Sequence, residues 1–171
     1  AAVAPLQSMP EFQSVFTAFS NPFLGVAVGA AVTALLQSSS ASMGILQAIS
    51  TTGVVSFHVA MPLIMGQNIG TCITALLSAI GASKNAKRTA MIHLSFNLIG
   101  SIFFLVVLYA GNALFRFPFW ETTMDMGSIA NLHLAFNVAC TALLLPFHRQ
   151  LVKLVKLAVP GGAEERELSV L

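Results

Sequence analysis

Two segments of this chain carry residues able to do chemistry: Gln37-Ser38-Ser39-Ser40, followed by Ser42, and Gly66-Gln67-Asn68-Ile69-Gly70-Thr71. Both lie in a stretch with no Asp, Glu, Lys or Arg between Glu11 and Lys84. The hydroxyls of Ser38, Ser39, Ser40 and Ser42 can donate to an oxyanion, and Ser40 can cap a helix that starts at the break. Gln37, Gln67, Asn68 and Thr71 offer neutral oxygens of the kind a hard cation takes. If helices are interrupted here, N–H groups at a half-helix N-terminus suit an anion and free carbonyls at a C-terminal end suit Na⁺. No Lys or Arg stands near either segment, so an anion bound there needs its charge balanced by a co-bound cation and by backbone dipoles. That is a physical reason to expect coupling.

Other chemistries find little support. Ser and His are present, but no spacing places a base near Ser39, so an intramembrane enzyme is not expected. His58, His93, His133 and His148 are scattered without metal-site spacing, so no metal beyond Na⁺ and no cofactor is expected. The basic residues form two clusters, Lys84 with Lys87 and Arg88, and Arg149 with Lys153 and Lys156, which is no stripe for nucleic acid. Cys72 and Cys140 sit in apolar segments and read as reduced, buried thiols.

The elements that hold these segments belong to a bilayer. A chain of 171 residues that is 56% hydrophobic and 8% charged, with a mean hydropathy of +0.84, cannot cover itself with a water-compatible surface. We expect an all-α integral membrane protein. Residues 1–22 carry Phe12, Phe16 and Phe19 at helical spacing among prolines and read as an interfacial segment, with a plain linker as the alternative. Residues 23–53 read as a re-entrant helical hairpin with Gln37–Ser40 at its tip. Its first apolar arm, about 14 residues, rises only ~21 Å, short of the ~30 Å hydrocarbon core. A continuous helix from Phe23 to about Ile49 is the alternative.

Residues 54–81 read as a transmembrane helix broken at Gly66–Thr71, because glycine permits backbone angles that free carbonyls. The competing reading takes Gly66 with Gly70, and Gly25 with Gly29, as small residues that let helices approach. We favour packing for Gly25 and Gly29 and a break for Gly66 and Gly70. Gly81 to Thr89 reads as a polar, basic loop. Residues 90–114 and 128–147 read as full transmembrane helices, joined by a loop in which Trp120 stands as an interfacial aromatic, and residues 148–171 as a basic flank and acidic linker. His93-Leu94-Ser95-Phe96-Asn97 recurs as His133-Leu134-Ala135-Phe136-Asn137, a polar stripe in each helix that suits interhelical hydrogen bonding more than direct substrate contact.

Two spans separate the basic clusters, so residues 84–88 and 148–156 share one side, the cytoplasm by the positive-inside rule, in a multi-pass cell (inner or plasma) membrane protein. The hairpin would then be rooted on the opposite side with its tip pointing inward. The chain opens at Ala1 with no basic stretch ahead of an apolar core, which argues against a signal peptide and suggests a fragment.

The run Thr33-Ala34-Leu35-Leu36-Gln37-Ser38-Ser39-Ser40-Ala41-Ser42, followed by Gly66-Gln67-Asn68-Ile69-Gly70-Thr71-Cys72-Ile73-Thr74-Ala75, resembles the sodium-dependent phosphate cotransporter family, the type II transporters and their bacterial relatives. His-x-x-Phe-Asn in the next helix is also similar to that family. The resemblance covers roughly Phe23 to Phe147. It implies a transporter of two inverted repeats, each with a hairpin bearing Gln-Ser-Ser-Ser and a broken helix, of which this chain holds one copy. Gln67 before Asn68 and the run Ala82 to Arg88 are more similar to the second repeat of a bacterial member. Carried over, Ser38, Ser39 and Ser40 would contact phosphate, with Gln37, Ser42, Gln67, Asn68 and Thr71 near the sodium or substrate sites. The implied partners are inorganic phosphate, Na⁺, membrane lipid, a second repeat and a C-terminal cytoplasmic regulatory domain. The implied function is sodium-coupled phosphate transport with half the site on this chain. The alternative is a membrane-embedded helix-packing or assembly module without transport activity.

Overall fold

A computed structural model describes residues 20–161. The expected interfacial segment and acidic linker fall largely outside these residues. Asn21 accepts from Phe23 N and Leu24 N, and Pro22 presets the first turn, so α1 starts at Pro22 and runs to Leu36. It stops where Gln37 takes the left-handed conformation, φ 51°, and donates its N–H to Thr33 O. Ser38 begins α2, Ser39–Ser50, by accepting from Ala41 N at 3.2 Å, so the cap is Ser38 and not Ser40. A side-chain bond from Thr33 Oγ1 to Ser42 Oγ, 2.7 Å, closes the pair. In a continuous helix those residues would stand ~13 Å apart. The chain therefore folds back, and the continuous-helix alternative is excluded.

α3, Phe57–Ser78, is an unbroken helix, which corrects the expectation of a break at Gly66–Thr71. Its glycines serve contact rather than unwinding. A Cβ on Gly66 would overlap Val26 O, one on Gly70 would overlap Ala30 O, and one on Gly29 would overlap Leu63 O. The α1 and α3 backbones are pressed together along this seam, and their small residues leave room for the contact. Because Val26 meets Gly66 and Ala30 meets Gly70, the two helices run parallel, and the turn at Gln37–Ser38 points toward the C-terminal end of α3.

Beyond a short turn at Gly81, φ 77°, α4 runs from Lys84 to Phe115 with Ser83 as its cap. Lys84, Lys87 and Arg88 are thus in the helix, not in a loop, because Ser83 satisfies Ala86 N and lets the helix start early. α5, Met126–Leu144, is capped by Asp125 through Ser128 N at 2.6 Å. It passes through a 3-10 turn, Leu145–Phe147 with Pro146, into α6, His148–Ala158, so the basic flank is helical.

The loop from Arg116 to Asp125 closes the N-terminal end of α3. Trp120 O and Thr122 O accept from His58 N and Phe57 N, supplying the cap that Ser56 does not. Tyr109 packs edge-on to Trp120 at 4.8 Å and donates to His58 O.

Among the described residues, three stretches are long and apolar enough to cross a membrane: Phe57–Ser78, Lys84–Phe115 and Met126–Ala158. The first is far more buried than the others, so α3 is the core post against which the hairpin, α4 and α5 stand. The α4 and α5 flanks expose Ile102, Val106, Leu134 and Val138. Apolar side chains on a bilayer-facing surface are what a membrane solvent favours.

Candidate functional site

The hairpin supplies the first half of the site. Its turn leaves Gln37 exposed and Ser38 and Ser39 half-buried, with Ser40 exposed. Ser38 Oγ is committed to the cap, while the Ser39 and Ser40 hydroxyls have no hydrogen-bond partner among the described residues. The backbone N–H groups of Ser39 and Ser40 belong to the first turn of α2, where the helix itself supplies no acceptor. Ser42 lies elsewhere: it is fully buried, and its hydroxyl accepts from Thr33.

α3 supplies the second half. Gln67 is buried beneath the hairpin and donates Nε2–H to Ser42 O at 3.1 Å. A carbonyl oxygen demands a donor, so the amide must turn its nitrogen to Ser42, and Gln67 Oε1 is left buried with no partner among the described residues. Gln67 also lines a cavity of about 90 Å³ between α1, α2 and α3, together with Gly29, Val32, Ser42, Leu46 and Leu63. Thr71 turns back onto its own helix, donating to Gln67 O at 2.9 Å.

Asn68, one residue on, faces α5. Its Nδ2 donates to Asn137 Oδ1 at 3.3 Å, and His133 Nε2 lies 3.1 Å from its Oδ1. The orientations follow in sequence. Asn137 Nδ2 donates to the His133 carbonyl at 2.8 Å, so its oxygen faces Asn68. Asn68 must then present nitrogen to Asn137 and oxygen to the imidazole, and an amide oxygen only accepts. His133 therefore carries its proton on Nε2. One turn further along α3, Cys72 meets α4 instead: Asn97 Nδ2 lies 3.5 Å from Cys72 Sγ and donates to His93 O at 3.0 Å.

The two His-x-x-x-Asn stripes thus repeat one local bond, Asn to the His carbonyl, and use it to face α3 from two sides. The expectation of interhelical hydrogen bonding holds for both. Thr33 escaped the sequence reading. A lone hydroxyl one turn ahead of Gln37, in an otherwise apolar arm, was the available signal.

Buried uncharged polar groups, gathered where a short helical hairpin meets a central apolar post, define a helical membrane protein with a polar interior. The family model described as Na⁺/Pi-cotransporter matches residues 7–144, and the chain belongs to that family. It is 34% identical over 135 residues to the uncharacterised protein YqeW of Bacillus subtilis, covering 78% of this chain and 43% of that protein. To sodium-dependent phosphate transport protein 2C of Rattus norvegicus it is 39% identical over 89 residues, 50% of this chain and 15% of the relative. YjbB of Escherichia coli, provisionally named an inorganic phosphate export protein, is 26% identical over 165 residues, 95% of this chain and 30% of its own. The chain spans less than half the length of these relatives. No solved structure matches it.

Proposed function

We propose that the protein to which this chain belongs moves phosphate across the cell membrane coupled to Na⁺, and that this chain forms half of the substrate and ion site, a second repeat completing it. The observation that carries the reading is Gln67 Oε1, buried beside the hairpin without a partner among the described residues. Such an acceptor costs about 1–3 kcal/mol if nothing occupies it. A cation is the ligand that a bare amide oxygen in an uncharged surrounding would take. Phosphate belongs at the turn of the hairpin, about one helical turn from Ser42, on the Ser39 and Ser40 hydroxyls and the N–H groups of the first turn of α2. Gln37 at the exposed turn and Thr71 one helical turn beyond Gln67 stand beside these two places. Asn68 acts from further off, holding α3 to α5.

The assembly-module reading loses its main support. Gly29, Gly66 and Gly70 are used up by contact within the chain and present no small-residue face to another molecule. The basic clusters, which the structure brings side by side through the bond from Arg88 Nε to Val159 O, belong on the cytoplasmic side by the positive-inside rule.

The test is labelled phosphate flux by the complete protein in liposomes. Flux that follows the Na⁺ gradient and falls with Ser39→Ala and Gln67→Leu is expected. Flux indifferent to the gradient and to both substitutions overturns the reading.

A further inference from the structure

We propose that α6 and the α4 surface beside it hold an anionic phospholipid of the adjacent leaflet. The exposed apolar belt of α4 runs from Leu98 to Phe115, and this length of helix rises ~26 Å, close to one hydrocarbon thickness. α5 alone, Met126–Leu144, fills a similar depth. α6 follows α5 and packs back along the part of α4 that precedes Leu98, with Val155 buried and Val159 O bonded to Arg88. It therefore sits at the level of the head groups.

Shape and charge then specify the occupant. Between α4 and α6 opens a groove of about 270 Å³ lined by Ile99, Leu144, Phe147, Gln150, Leu151 and Leu154. Apart from Gln150 its wall is apolar, and it begins at the end of the apolar belt, where an acyl chain would enter. Arg149, Lys153 and Lys156 recur at four- and three-residue intervals and share one exposed face of α6, whose Lys153 edge adjoins the exposed Leu157 and the groove residue Gln150. The acidic residues among those described, Glu121 and Asp125, both lie in the loop beyond the far end of α4. The stripe thus has no carboxylate at hand among the described residues, and a helix with a basic face beside exposed leucines binds anionic lipid surfaces. The phosphate of a phosphatidylglycerol would rest on Lys153 and Arg149 with one acyl chain in the groove.

The experiment uses the complete protein in neutral detergent, titrated with dioleoyl phosphatidylglycerol or dioleoyl phosphatidylcholine, and reads retained lipid by native mass spectrometry and thermal unfolding. Phosphatidylglycerol should be retained preferentially and raise the midpoint, an effect that weakens with salt. The double variant Arg149→Gln/Lys153→Gln should bind it about tenfold more weakly or worse. Arg116→Gln, at the opposite end of α4, should leave the preference intact. Unchanged unfolding of the double variant without added lipid shows that it still folds. Equal retention of the two lipids, or a double variant that keeps the preference, overturns the proposal. So does a preference that appears only after Glu164, Glu165 and Glu167 are changed to Gln, since the chain's own acidic end would then be the occupant.

Discussion

Thr33 Oγ1 donates to Ser42 Oγ at 2.7 Å, and both residues are fully buried. This bond joins the two arms of the hairpin just below the turn, and the Ser42 carbonyl passes the connection on to Gln67. Replacing Thr33 with Val keeps the shape and removes the donor. We expect a loss of about 1–2 kcal/mol for Thr33→Val in unfolding measured by denaturant in detergent. The cycle with Ser42→Ala should give a coupling near ~0.6 kcal/mol, the usual size within membrane proteins. A coupling of zero would show that the bond does not hold the arms.

The seam between α1 and α3 has no slack. Gly66→Ala forces a methyl group into the Val26 carbonyl, and backbone cannot swing aside as a side chain does. Overpacking of this kind costs about 1–3 kcal/mol, and the variant should unfold at lower temperature and lose flux together. Gly44→Ala is the control. A Cβ there meets nothing within 4 Å, so the better helix propensity should leave it neutral or slightly more stable.

Ser38 and Ser39 separate stability from transport. Ser38 caps α2, so Ser38→Ala should lower stability by about 1 kcal/mol as well as flux. Ser39 makes no such bond, and Ser39→Ala should unfold like the parent while flux falls. Equal destabilisation by the two variants would reduce both serines to structural roles.

His133→Leu removes the donor that fixes Asn68 and leaves a buried amide oxygen bare. A cost of about 1–2 kcal/mol in detergent unfolding is expected, with His133→Gln recovering part of it through its own N–H. Indifference to both changes would mean that Asn68 finds another partner.

Asp125 caps α5 outside the membrane. The hydrogen bond from the Ser128 backbone N–H holds its carboxyl below the usual Asp range. A depressed folded-state value means its contribution is complete above the unfolded-state pKa and is lost as pH falls through the folded-state one. Unfolding of the parent should therefore become easier on acidification through this acid window. Asp125→Asn, which keeps an acceptor but cannot titrate, should show a shallower slope over the same window. An unchanged slope would place the acid sensitivity in another group.

The sequence by itself determined the solvent and marked where the chain could fold back. Absence of charge from Glu11 to Lys84 admits only a bilayer or a buried core, and the Phe23–Leu36 arm is too short to span. A polar Gln-Ser pair at its end is able to stop one helix and cap the next. Those are local facts, and local energetics decide them. What the sequence left undecided was every choice that needs a partner. Gly66-x-x-x-Gly70 is equally legible as loosened backbone or as close contact, and it is the α1 carbonyls of Val26 and Ala30, some forty residues away, that make it contact. The same holds for the amides. Whether Gln67 and Asn68 are ligands or fasteners depends on which groups the fold sets opposite them. Tertiary structure gave Asn68 to His133 and Asn137, and left one oxygen of Gln67 unclaimed.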